Sequence, residues 1–303
     1  MPAHYLDEAV DTEPVLTSAR TRIKITSGPN RWSRKQHALS DAIDFWSFAG
    51  AAANVIMQLG WPEVAYGVME SRVPSGSLVH HPWKRARTTT QYLAVAILGT
   101  DEERVAFREA VNGAHRQVRS DENSPPVKYN AFNRELQMWV AACLYVGIED
   151  SYQLLHGALD DEQIEDFYST ASKLGTTLQV TEEMWPATRA DFERYWNRGC
   201  ERVVFDETTK QFLLDLVGLK MINWPMRMMF RNLLKFLTIG TLPPYFREQL
   251  GLSWSEDDRR RFEHLFIFVS FVNRFIPKFI RHGGSLALMA DLRRRIESGK
   301  NII

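Results

Sequence analysis

The sequence predicts an all-α single domain of about ten helices, on three observations. Apolar residues recur at helical spacing almost throughout, as in "RVAFREAVNGAHRQV". Runs of β-branched alternation such as "RVVF" and "SLVHH" are short, and none pairs across an Asn-Gly or Asp-Gly turn. Helix start signals recur instead.

In chain order, residues 1–35 show no sustained period and are expected to form a flexible N-terminal arm ahead of a domain spanning residues 36–303. The opening "MPAHYLDEAVDTEP" is mixed and acidic, unlike the basic-then-apolar pattern of a signal peptide. Phe45 to Pro62 carries no charge, a marginal length for spanning a bilayer. Asn54, Gln58 and the closing Gly-Trp-Pro favour a buried helix there. Pro82 suits a first helical turn and Gly99 a last one.

Thr100 with Glu103 forms a capping box, and Asp160 with Gln163 a looser one, with Gly175 expected just past that helix's end. Thr188 and Asp206 open two further helices, and Ser255 with Asp258 opens another that Pro277 interrupts. Residues 72–81 and 120–130 read as irregular, and no repeat or linker divides the chain.

With 303 residues, 45% of them hydrophobic, a sizeable core is expected. Balance between 37 basic and 37 acidic side chains argues against a dedicated nucleic-acid or anionic-membrane surface. Nine Trp suit a chain that encloses an apolar ligand, and equally a plain core. Two cysteines, Cys143 and Cys200, make neither a disulfide framework nor a four-thiolate site, which implies a reducing, cytoplasmic setting.

No Gly-rich phosphate loop, H-E-x-x-H, paired Cys-x-x-Cys or G-x-S-x-G occurs, so nucleotide binding, zinc hydrolysis and serine hydrolysis lose support. What remains are polar residues on apolar helices. His115 shares a face with Val111 and Val118, so it is either a hydrogen-bonded core residue or a ligand for something buried. Arg85 and Thr89 stand at i and i+4. Either Arg85 pairs with Glu103 while Thr89 bonds back to its own helix, or the two form a polar cluster in an apolar pocket. His80 and His81 read as surface loop residues, and His156 and His264 have no supporting context. Residues 224–246 place Arg227, Arg231 and Lys235 along an apolar helix. That pattern fits a core helix, a hydrophobic substrate channel or peripheral contact with a lipid surface.

The segments "FAGAAANVIMQLGWPEVAYGVMES", "HPWKRARTTTQYLAVAILGT", "AVNGAHRQVR" and "YNAFNRELQMWVAACL" follow in order and spacing. With "TLPPYFREQLGLSW" they resemble the catalytic domain of the rubber oxygenases (latex clearing proteins), from about Asp44 to about Leu252. That family also contains the oxygenase that cleaves a farnesyl side chain in mycophenolic acid biosynthesis. The resemblance implies haem b inside an all-helical domain, with His115 as axial iron ligand and Val118 and Arg119 completing the H-x-x-V-R segment. It also implies Arg85 and Thr89 on the haem-pocket wall.

Three positions depart from the family pattern. Thr88 replaces a lysine that can take the opposite axial position, which implies an open distal site for O₂. Ala141 replaces a pocket histidine. Glu70 stands where many relatives carry histidine, and is a candidate acid or base. The implied function is O₂-dependent oxidation of a hydrophobic small molecule, by cleavage of an isoprenoid-type double bond or by hydroxylation, with an electron donor if reduced iron is needed. The alternative is a non-catalytic haem- or lipid-binding helical protein, or a haem-free relative.

Overall fold

Helix boundaries follow the caps. Thr100, Asp160, Thr188, Asp206 and Ser255 each accept a backbone N–H from the first turn of the helix they precede. At Thr100 the box is reciprocal: the hydroxyl accepts from Glu103 N–H (3.3 Å) and the Glu103 carboxylate accepts from Thr100 N–H (2.9 Å). The computed structural model describes residues 16–25, 38–71, 81–121, 127–220 and 223–303. In order the helices are α1 (Ser18–Thr21), α2 (Ala51–Gln58), α3 (Pro62–Met69), α4 (Pro82–Leu98), α5 (Asp101–His115), α6 (Arg134–His156), α7 (Asp161–Tyr168) and α8 (Lys173–Thr176). Then come α9 (Arg189–Glu201), α10 (Glu207–Val217), α11 (Trp224–Thr241), α12 (Pro244–Leu250), α13 (Glu256–Asn273), α14 (Lys278–Arg281) and α15 (Gly283–Glu297). Among the described residues there is no strand, only an isolated antiparallel bridge between Arg119 and Asn130. The protein is an all-α single domain.

The long helix α6 is the axis of the core and is buried along most of its length, with α2, α8 and α13 packed on it. Trp61, Trp139 and Trp196 stack in a column beside it, with ring centroids 4.9 and 5.1 Å apart and planes within 5° and 11°. Each indole N–H is spent on a carbonyl, of Gly199, Gln58 and Thr21 respectively, so the column buries three large rings without an orphaned donor. Gly199 is required there, because a Cβ would stand 2.7 Å from the Trp139 ring.

The uncharged stretch is not one helix, contrary to expectation. A 3₁₀ helix at Phe45–Gly50 precedes α2, and the chain breaks at Gly60–Trp61 before Pro62 opens α3. Pro62 holds Trp61 extended and has no N–H to continue a helix. The two amides of that stretch act together, Asn54 tying α2 to α6 and Gln58 supporting Asn54. Asn54 Nδ2 donates to Cys143 O, and Gln58 Nε2 donates to Asn54 Oδ1, both at 2.6 Å.

Gly175 does not end α7. It lies inside the single turn α8, with its Cα against Val180, and α7 stops at Tyr168. One-turn helices such as α1, α8 and α14 are too short to show a period, which is why the sequence suggested fewer elements. Pro277 separates α13 from α14 as expected.

Part of the expected arm is fixed. Leu16, Thr21, Arg22 and Ile23 are buried. The Arg22 guanidinium sits among Glu149, Asp150 and Glu193, and Arg189 reaches Glu149 and Glu193 from the other side. Buried carboxylates on α6 need such partners, and a partner that follows a single helical turn leaves no periodic signal. Residues 1–15 and 26–37 lie outside the described residues.

The C-terminal helix α15 lies along α4. Arg87 pairs with Asp291 and Arg293 with Glu103, both at 2.6 Å, and Gln91 donates to Leu288 O. Among the described residues no helix is long and apolar enough to cross a membrane.

Candidate functional site

Helices α2 to α6 and the turn of α8 line two adjoining cavities, of about 370 and about 180 Å³, the larger within the range of small-molecule sites. Their shared walls are Gln58, Val68, Arg85, Tyr92, His115, Val140, Leu144 and Leu178. Thr88, Thr89 and Val111 face the larger cavity, and Ala141, Gln137 and Tyr129 the smaller. Val140, Leu144, Gly147 and Ile148 form the α6 wall at helical spacing. Gly147 admits the Asn54 side chain, which a Cβ would displace.

His115 is the last residue of α5 and the helix delivers its ring to the junction of the two cavities. The Phe132 ring meets it edge-on at 6.2 Å. Its Nδ1 is buried and makes no hydrogen bond among the described residues. Burial, and then the positive charge of Arg85, push its pKa down to about 4, so the ring is a neutral imidazole at pH 7. Neutrality leaves a nitrogen lone pair available, the state in which imidazole binds a metal.

Arg85 enters from α4. It retains much accessible surface although protein surrounds it, because that surface faces the cavities. Burial lowers its pKa, and among the described residues the guanidinium makes no ion pair or hydrogen bond. The Glu103 partner considered from sequence belongs to Arg293 instead. A desolvated guanidinium without a counter-ion is poised to take a carboxylate or another oxyanion. Thr89 behaves likewise. Its neighbours Thr88 and Thr90 spend their hydroxyls on the i−4 carbonyls of Lys84 and Ala86, whereas Thr89 makes no hydrogen bond among the described residues. Tyr92, one α4 stripe further on, is held by its O–H to Leu174 O at 2.5 Å, and burial pushes its pKa far up.

Two sequence candidates are not brought to this site. Glu70 caps the end of α3 outside both cavity walls and accepts a hydrogen bond from Tyr129 O–H (3.3 Å). Arg119 is exposed, pairs its backbone with Asn130, and lines a more open surface pocket that shares Glu63, Tyr129, Asn130 and Leu136 with the smaller cavity, but it is on neither cavity wall itself. It follows His115 by one helical turn in sequence, but α5 ends at His115 and the chain turns away. His81 is exposed, and His80 lies outside the described residues. His156 stacks on Tyr152 and His264 is exposed, both away from the cavities. Gln58 was missed as a site residue: its signal in sequence was only a lone amide on an apolar helix.

Among the described residues no cluster of three His, Cys, Asp or Glu side chains could hold a metal ion. A porphyrin brings its own four nitrogens and asks the protein for one axial ligand, so a single cavity-facing histidine fits that group and not a bare ion.

Residues 42–271 match the family model described as "ER-bound oxygenase mpaB/B'/Rubber oxygenase, catalytic domain". The chain belongs to this oxygenase family. Two relatives are 44% identical over 252 residues, covering 83% of this chain and 98% of each relative: "Uncharacterized protein Rv2237" of Mycobacterium tuberculosis and "Uncharacterized protein Mb2261" of Mycobacterium bovis. No solved structure matches the chain. The match ends at residue 271, so α14 and α15 lie beyond the part the family shares.

Proposed function

We propose that this protein is a haem b-dependent oxygenase of an apolar small molecule, with His115 as the axial ligand. The observation that carries the reading is a neutral imidazole, unpartnered among the described residues, facing the same apolar cavity as an unpaired guanidinium. A haem presents one iron and two propionates to its protein, and His115 and Arg85 match those two demands. Haem would supply the redox-active iron at which dioxygen is used.

The chain's own residues do the rest. Arg85 holds an anion, either a propionate or negative charge that develops on oxygen. Thr89 offers an O–H donor from the same stripe, and Thr88, its hydroxyl spent on Lys84 O, does not compete for the cofactor. Val68, Val140, Leu144 and Leu178 exclude water and select an apolar substrate such as an isoprenoid or lipid-like chain. Tyr92, locked to Leu174 O, keeps the wall in shape.

The test is oxygen uptake and ¹⁸O₂ incorporation by haem-reconstituted protein with terpenoid and lipid alkenes. Labelled product that disappears in Arg85→Met supports the reading. Haem binding without any product from the panel would favour a passive carrier, a reading to which Ala141, a methyl where relatives keep a pocket histidine, lends its support.

A further inference from the structure

The first half of α11 is built unlike any core helix. Every residue from Met228 to Lys235 is exposed, Phe230 and Leu234 least among the apolar ones at 37% each, so for two turns only one edge of the helix rests on the domain while Trp224, Met228, Met229 and Leu233 face solvent. Its second half, by contrast, is buried from Thr238 onward. A surface helix normally hides its apolar stripe and shows its polar one. Here Met229 is 69% exposed, and no part of the described chain covers it.

The neighbouring helix repeats the pattern. Gly240 of α11 packs on Phe262 of α13, and Phe236, Leu237, Phe262, Phe266 and Val269 form one apolar cluster. Beyond that cluster Phe268, Phe271, Phe275 and Phe279, on α13, its end and α14, turn outward, Phe275 with 72% of its surface exposed. Exposed apolar patches of this extent mark interaction surfaces.

Charge selects the partner. No aspartate or glutamate lies between Asp215 and Glu248, nor between Glu263 and Asp291. Those two acid-free runs include both apolar surfaces and carry Arg227, Arg231, Lys235 and Arg274, none of which has an ion pair among the described residues. The chain as a whole is neutral, with 37 charges of each sign, so net charge conceals a local segregation. A cationic, acid-free, aromatic and Met-rich exposed helix meets the chemistry of an anionic lipid surface: apolar side chains enter the acyl boundary while Arg and Lys stay at the headgroups.

We infer that α11 and the outward phenylalanines of α13 and α14 dock this protein onto an anionic bilayer, peripherally and without spanning it. The helix that docks also packs on the Phe45–Gly50 turn and on α2, whose Gly50 and Ala51 line the larger cavity. The inference rests on the surface and not on what fills the cavity, and its test needs no cofactor.

The experiment is vesicle flotation of the full chain, with phosphatidylcholine alone or with about one-third phosphatidylglycerol. Wild type should float with the anionic vesicles and release at high salt. Arg231→Glu with Lys235→Glu should weaken partitioning at least about tenfold, and Met229→Ser with Phe275→Ser should do the same, with the far-ultraviolet spectrum and Tm unchanged. Wild type that stays at the bottom of the gradient would overturn the inference, as would binding unaffected by both variants. Sedimentation should find a monomer. A dimer that Met229→Ser dissociates would assign the surface to a second copy and refute the bilayer.

Discussion

The guanidinium of Arg85 and the imidazole of His115 line one cavity, and the charge on the first helps to keep the second uncharged. Neither has a hydrogen-bond or ion-pair partner among the described residues. Two unsatisfied polar groups in an apolar cavity cost stability, and a fold retains them where a ligand satisfies both.

His115 makes stability depend on pH in a calculable direction. Its pKa is about 4 in the fold against an ordinary value of 6.5, so between those limits the unfolded chain binds more protons. Its contribution is intact above pH 6.5 and is lost as pH falls through 4, by up to about 3 kcal/mol. Urea unfolding of the ligand-free protein at pH 7 and pH 4.5 should show the loss, and the wild-type drop should exceed that of His115→Gln.

Arg85→Met should leave the ligand-free protein as stable as the wild type or slightly more so, because it removes a charge without an ion pair among the described residues while keeping the volume, and solvent in the cavity screens that charge. The same change should raise the His115 pKa, readable by NMR titration of the ring, and weaken haem binding. A destabilised variant would mean that Arg85 has an ionic partner in the fold.

Gly147→Ala should cost about 1–3 kcal/mol by overpacking. The new methyl meets the Asn54 amide, whose bond to Cys143 O ties α2 to α6. Urea midpoints with an unchanged m-value would register the loss.

Arg22→Met should cost about 3–5 kcal/mol, since it strands Asp150 in the core and leaves Glu149 to Arg189 alone among the cations. Limited proteolysis should then cut near residues 16–25 in the variant and spare them in the wild type.

The helical class, the caps and the candidate ligand were legible because each leaves a local mark. Thr100 with Glu103, Ser255 with Asp258 and Pro82 announce helix starts within one turn, and the Val111–His115 spacing turns the imidazole toward the cavities, whereas Val118 lies past the end of α5. Arg119 entered only through the H-x-x-V-R resemblance, and it lies off both cavity walls because α5 stops at His115. Glu70 lies off both cavity walls because the resemblance fixes a position along α3, while the side chain's direction depends on where that helix ends. The Arg22 cluster left no local mark at all, joining residues on α6 and α9 to a segment more than a hundred positions away. The exposed half of α11 was ambiguous in sequence because exposure, unlike amphipathicity, is decided by what packs against a helix.

Titration of hemin into the ligand-free protein, followed by the Soret band, decides whether His115 holds the iron. Wild type should bind one equivalent, His115→Gly should lose the band, and added imidazole should restore it by occupying the space of the missing ring. Stoichiometric binding with an identical spectrum in wild type and His115→Gly, unaltered by imidazole, would contradict the assignment of His115 as the axial ligand.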